Sequence, residues 1–170
     1  MKTDPRIRLA RPGDGEACAE VWMDVGRYYH ALDSRAFQVP SGDGLAESFE
    51  QDIANADPDQ LRLVAEVDGI VGLLVAGLQR PGSRPDRELV RDLSHVRLFV
   101  HALAVSAPYR RTGVGTALMA AAETWAREHG AAIVSLDTYI HSPTSVPFYE
   151  SRMGYARRAV IFRKELDQTP

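Results

Sequence analysis

An α/β protein, with helices layered on a mixed sheet, is the fold class this sequence predicts, and three observations carry the expectation. Residues 61–67 and 70–78 are two β-rich runs joined by Asp68-Gly69, the chemistry of a hairpin with a type I′ turn. Residues 96–105 read as a strand that Pro108 cannot prolong, and from Gly113 the apolar positions Val114, Ala117, Leu118, Ala121, Ala122 and Trp125 recur with the spacing of one helix face. A further apolar run at 132–136 follows, so that helix is a crossover between strands four and five. A chain of 170 residues, 45% of them hydrophobic, can bury a proper core and is expected to form a single domain over residues 1–170.

In chain order, residues 7–9 form a short first strand closed by Arg11-Pro12-Gly13-Asp14-Gly15, with Asp14 the expected N-cap of the first helix. That helix carries an apolar stripe of Ala17, Val21, Val25 and Tyr28 flanked by Cys18, Trp22 and Tyr29, which is core patterning. Its end gathers Tyr28, Tyr29 and His30 before a loop over 33–44. Leu45, Phe49 and Ile53 recur every four residues as a second helix ending near Asp57-Pro58. After the hairpin, residues 80–92 hold prolines, glycine and mixed charges without periodicity, an exposed loop able to act as a lid. The long helix stops at His129-Gly130, a short helix is expected over 143–152 up to Gly154, and residues 155–157 and 160–164 are expected to close the sheet as two strands.

Composition narrows the function classes. A net charge of −3 argues against non-specific nucleic-acid binding. With one cysteine, Cys18, no internal disulfide can form, and no His/Cys cluster has zinc-like spacing, so a metal-free fold in a reducing cytoplasm is expected. Residues 1–6 lack the apolar segment of a signal peptide, and the run at 70–78 is too short to span a bilayer, so a soluble protein without membrane contact is expected.

Between strand four and the long helix stands Arg110-Arg111-Thr112-Gly113-Val114-Gly115. Glycines let a ligand approach the backbone there, and the first-turn N–H groups of a helix lack intrahelical partners and sit at its positive end. With two arginines beside them, they suit a phosphate or pyrophosphate. A dinucleotide fingerprint would need glycine or alanine where Leu118 stands, and no Gly-Lys-Ser/Thr occurs for a P-loop.

Arg110-x-x-Gly113-x-Gly115 resembles the coenzyme A pyrophosphate loop of the GNAT family, the Gcn5-related N-acetyltransferases, whose signature is Arg/Gln-x-x-Gly-x-Gly/Ala. Leu103-Ala104-Val105 and Pro108-Tyr109 look like that family's lead-in, and Pro147-Phe148-Tyr149-Glu150-x-x-Met153-Gly154-Tyr155 is similar to its Phe-Tyr-Glu-x-x-Gly-Phe ending. Ser142 departs from the asparagine that family members commonly carry seven residues before that tyrosine.

The resemblance implies a mostly antiparallel central sheet with splayed central strands. It implies acetyl-CoA as co-substrate, with no metal, held by Leu103, Ala104, Val105, Arg110, Arg111, Thr112, Gly113, Val114, Gly115, Thr116, Ser142 and Tyr149. It also implies N-acetyl transfer to an amine, with the Leu103 N–H polarising the thioester carbonyl and Tyr149 protonating the leaving thiolate. For the base, His101 is the candidate ahead of Asp137 and His141, because on a regular strand it shares a face with Leu103 and Val105 unless a bulge intervenes. In the resembling family the first two helices shape the acceptor pocket, which places Tyr28 and Tyr29 there. Asp137 is a candidate counter-ion, and Trp22, Asp33, Asp43 and the 80–92 loop complete a compact acidic pocket. The expected acceptor is a small cationic amine. A peptide acceptor or a catalytically weak acyl-CoA sensor are the alternatives, and a homodimer is compatible with the sequence.

Overall fold

The computed structural model describes residues 4–55 and 57–166. Two units, Met1–Asp137 and Thr138–Pro170, make up the chain.

In the first unit the hairpin is the centre of a five-stranded sheet with strand order β1-β2-β3-β4-β5. Its strands are β1 (Arg6–Leu9), β2 (Gln60–Glu66), β3 (Ile70–Gln79), β4 (Arg97–Val105) and β5 (Ile133–Leu136). The first four pair antiparallel, and β5 lies parallel to β4. A parallel pair needs a crossover, and α3 (Val114–Glu128) supplies it. The mixed, mostly antiparallel sheet is therefore as expected. Its central splay is visible in the register: β5 leaves β4 after Val100↔Leu136, whereas β4 stays paired with β3 as far as Val105↔Gly72.

Helices cover both faces. Cys18 and Val21 of α1 (Gly15–Leu32) bury against Val64, Leu73 and Ala104 on one face, with Phe49 of α2 (Leu45–Ala54) packed beside them. Burial pushes the Cys18 thiol up to about 11, which keeps it neutral and inert at pH 7. On the other face α3 comes so close that a Cβ on Gly72 would lie 3.0 Å from Val114 Cγ1 and 3.2 Å from Leu118 Cδ1.

Two local expectations are corrected. The hairpin is not joined by a type I′ turn: Glu66 pairs with Ile70, Val67 N–H donates to the Gly69 carbonyl at 3.0 Å, and of residues 67–69 Gly69 alone has positive φ. A bulge between Ala65 and Glu66 leaves Val71 unpaired and shifts the register, which lengthens the connection to three residues. Asp14 does occupy the N-cap position of α1 without capping it, because its carboxylate takes the Arg8 guanidinium at 2.6 and 2.9 Å and the Arg11 N–H at 2.8 Å. Glu50 of α2 accepts the Gly15 N–H instead, at 2.6 Å.

The second unit holds one helical turn, α4 (Ser145–Pro147), which widens into a π turn over Phe148–Arg152 and is followed by Gly154 with φ 77°. The two closing strands expected at 155–157 and 160–164 do not form among the described residues. β-Propensity rewards a pleated surface packed on neighbours, and here Val160, Ile161 and Phe162 are 69%, 74% and 92% exposed, with nothing gained from pleating.

Candidate active site

The loop between β4 and α3 presents groups that can take an anion. A 3₁₀ turn over Ala107–Tyr109 ends the strand, Arg111 takes φ 64° and Gly113 φ 106°, and α3 begins at Val114. Among the described residues Arg111 is the one non-glycine with positive φ, a strained conformation of the kind that clusters at ligand clamps. Thr112 Oγ1 donates to the Tyr109 carbonyl at 2.7 Å and fixes the turn from within. The backbone N–H groups of Arg111, Thr112, Gly113, Val114, Gly115 and Thr116 donate to no protein acceptor among the described residues, the first N–H bonded within α3 being that of Ala117. Free N–H groups at a helix start are the fixed donors a pyrophosphate requires. Arg111 is exposed beside them. Arg110 turns the other way: Nε donates to the Val105 carbonyl at 2.9 Å and Nη2 to Asp24 at 3.0 Å.

Beside this loop runs the edge of β4 that β5 leaves uncovered. Ser106 N–H donates to the Val71 carbonyl on the β3 side at 2.9 Å, so by alternation the Ala104 amide faces β3 while the backbone groups of Leu103 and Val105 face the uncovered edge. That edge can accept an extended ligand as an added strand.

A bulge changes the position of His101. β3 and β4 slip by one residue between Val75 and Ala76, which leaves His101 as the extra residue. Leu103 and Val105 pair with Leu74 and Gly72 on the α3 face. His101 lies on the opposite face, its ring 5.1 Å from that of Phe99 and its Nε2 3.3 Å from where a Cβ on Gly77 would stand. The shared face expected of a regular strand is thus corrected, and His101 is exposed at the point where β4 and β5 part.

The acceptor candidates stand on several elements. Tyr28 is half-buried beneath Arg110, whose guanidinium carbon lies 4.7 Å from the ring centre. The Tyr29 ring meets that of Tyr28 edge-on, centres 5.3 Å apart, and that of Phe37 at 4.8 Å. Trp22 packs on the α1-side core. Asp33 accepts the Arg35 N–H at 3.0 Å, while Asp43 and Asp137 are exposed. The 80–92 loop is exposed and contains a short 3₁₀ turn over Pro85–Arg87. Clefts of about 470 and 420 Å³ run along α1 and α2 and are lined by none of these residues.

In the second unit Tyr149 lies in the π turn, edge-on to Phe148 at 5.0 Å and to Tyr155 at 6.0 Å. Ser142 is buried, and its Oγ accepts the Ser145 N–H at 3.0 Å. His141 is exposed next to it. Among the described residues no three His, Cys, Asp or Glu side chains gather as metal ligands, and no helix is long and apolar enough to cross a membrane.

Residues 27–155 match the model of the acetyltransferase (GNAT) family. The chain belongs to this family of acetyltransferase enzymes. Its GNAT match runs from the end of α1 through the anion loop to Tyr155. A 67-residue stretch is 34% identical to the uncharacterized N-acetyltransferase YhdJ of Bacillus subtilis (strain 168), covering 39% of this chain and 47% of that protein, so the match spans about half the relative's length. The fold is shared with a transcriptional regulator from Bacillus halodurans C-125, TM-score 0.72 at 20% identity over 96% of this chain and 100% of that one. It is shared too with an aminoglycoside antibiotic 6′-N-acetyltransferase from Acinetobacter haemolyticus, TM-score 0.64 at 19% identity over 95% and 99%. One residue at this GNAT loop escaped the sequence reading: Asp24, whose Oδ2 accepts both the Ala107 N–H and Arg110. Its signal was a carboxylate inside the apolar stripe of α1, three residues after Val21 and four before Tyr28, where a charge needs a partner.

Proposed function

We propose that this chain transfers the acetyl group of acetyl-CoA to the primary amine of a small cationic acceptor by direct attack, within a single domain over residues 1–170. The observation that carries the reading is the start of α3, where the first N–H bonded within the helix is that of Ala117 and the preceding N–H groups have no partner among the described residues. These donors, with exposed Arg111, fit the pyrophosphate of coenzyme A, and the backbone of Leu103 and Val105 on the uncovered β4 edge fits the pantetheine arm. Acetyl-CoA supplies an activated acetyl thioester. The Leu103 N–H is assigned to the carbonyl oxygen, where charge grows as the amine attacks. Tyr149 is assigned to protonate the departing thiolate, on its place in the family motif and in a π turn, a feature frequent at functional sites. His101, or a water, takes the amine proton; the exposure of His101 one residue past Val100, where pairing with β5 ends, supports it, although its ring leans over Gly77 of β3. Asp137, Tyr28 and Tyr29 are assigned to the acceptor, and the aminoglycoside acetyltransferase of the same fold is in keeping with a small polyamine. The single cysteine fits a cytoplasmic setting.

A second reading, a catalytically weak acyl-CoA sensor, is favoured by Ser142, which departs from the asparagine common in the family motif and whose oxygen already accepts the Ser145 N–H. Titration calorimetry with acetyl-CoA and with ATP tests the cofactor, and a screen of amines with thiol-release detection separates enzyme from sensor. Acetyl-CoA is expected to bind and ATP not to. Gly113→Leu forces a side chain into φ 106° and blocks backbone approach to the pyrophosphate, so it is expected to abolish binding. Unchanged affinity in a Gly113→Leu protein of wild-type circular dichroism overturns the loop assignment.

A further inference from the structure

One carboxylate grips the anion loop from a different element. Asp24 stands on α1, and its Oδ2 accepts the Ala107 N–H at 2.6 Å and Arg110 Nη2 at 3.0 Å. Arg110 is held on its other side as well, by the Val105 carbonyl through Nε at 2.9 Å and by the Tyr28 ring at 4.7 Å. The two side chains are only 28% and 31% exposed, so the ion pair is partly shielded from water.

We infer that Asp24 is a positioning residue for the pyrophosphate loop, acting through Ala107 and Arg110, and that the Arg110 side chain serves this latch instead of contacting phosphate. The inference rests on the acetyl-CoA reading above. A phosphate drawn to the Arg110 guanidinium would have to approach a carboxylate already seated on it, and like charges at that range repel. Phosphate contact therefore falls to the N–H groups and to Arg111, which is exposed. Arg111 holds φ 64°, and a residue keeps such a backbone only when its surroundings over-determine it. The latch does this from the β4 side, by fixing the strand end at Val105, the turn at Ala107 and the side chain at Arg110 to one helix. Released from Asp24, the turn can relax and the N–H groups after it lose their common aim.

The test compares two ligands that share the acyl arm and differ in the pyrophosphate. Acetyl-CoA affinity is measured by calorimetry and S-acetylpantetheine affinity by ligand-observed NMR, for wild type, Asp24→Ala and Asp24→Asn. Asp24→Ala is expected to weaken acetyl-CoA by about 10- to 100-fold, the scale of a lost charged hydrogen bond, and to leave S-acetylpantetheine within about 2-fold. Asp24→Asn keeps an oxygen acceptor without the charge and should fall between; it is nearly isosteric, so it carries the comparison if Asp24→Ala fails to fold. Arg111→Ala should weaken acetyl-CoA and flatten its salt dependence, whereas Arg110→Gln should leave the salt dependence as in wild type. Equal losses for both ligands would make Asp24 a general fold residue and overturn the inference, as would no loss for either. If wild type itself does not bind acetyl-CoA, the cofactor reading fails; if it binds and the two ligands respond alike in the variants, the latch alone fails.

Discussion

Tyr149 separates two roles that one side chain can hold, packing and proton donation. Its ring meets Phe148 and Tyr155 edge-on, contacts that a phenylalanine would keep. Tyr149→Phe keeps these ring contacts and removes the hydroxyl. Turnover at saturating substrates is expected to fall roughly 10- to 1,000-fold with acetyl-CoA affinity almost unchanged, the pattern of a donor used in the transition state. Steady-state kinetics beside calorimetry checks this, and equal turnover would reassign Tyr149 to packing. The position of Tyr149 was legible because the motif is local and contiguous. Asp24 was not, because its partners Ala107 and Arg110 lie on another element and only folding brings them to α1.

The junction of β1, β2 and α1 is held by charge. Arg8 bonds Asp14 at 2.6 and 2.9 Å and Glu66 at 2.6 Å, tying the strand pair to the helix start. The Arg8 guanidinium holds the Asp14 carboxyl below its usual value, chiefly through that hydrogen bond, against an opposing effect of burial. A carboxyl whose folded value is depressed stabilises the fold above its unfolded value of about 3.9, and that contribution disappears as pH falls through the folded value. Arg8→Met leaves the buried Asp14 carboxylate without its cation and is expected to cost roughly 3 kcal/mol at pH 7. Thermal or urea unfolding from pH 7 down to pH about 3 should show the wild type losing stability below about pH 4, with a flatter profile in Arg8→Met. Parallel profiles would mean that other carboxylates dominate acid unfolding. At this scale β1 to β5 and α3 were readable from periodicity and from Gly and Pro, whereas the two strands expected at 155–157 and 160–164 did not form. The His101 bulge was not, since a one-residue slip appears only once β3 is laid against β4.

For the whole molecule, the fold does not choose the acceptor. At 20% identity or less it is shared with a transcriptional regulator and with an aminoglycoside acetyltransferase, so specificity must come from side chains grafted on a common frame. On the proposed function, Asp33 and the exposed Asp43 and Asp137 would favour a cation by attraction, and the exposed 80–92 loop would narrow access to bulky chains. Polyamines, aminoglycosides and free amino acids are accordingly expected to be acetylated with higher kcat/KM than short peptides. Competition kinetics with thiol-release detection decides it: peptides preferred by a wide margin would overturn the small cationic acceptor.

By itself the sequence determined the local geometry of the loop between β4 and α3. Pro108 stops a strand, Gly113 adopts the positive φ that starts α3, and helical spacing from Val114 puts Leu118 and Ala122 on the buried side. These are short-range effects of backbone sterics and periodicity, complete within a few residues. Tertiary structure decided which way functional side chains turn and which β-prone runs become strands. His101 left the face of Leu103 because β3 pairs out of step, Arg110 turned inward because α1 presents Asp24, and Val160 to Phe162 stayed unpaired despite their composition. Each outcome depends on a partner distant in the chain, and the hydrogen bonds and burial that select such a partner exist only after the elements have met.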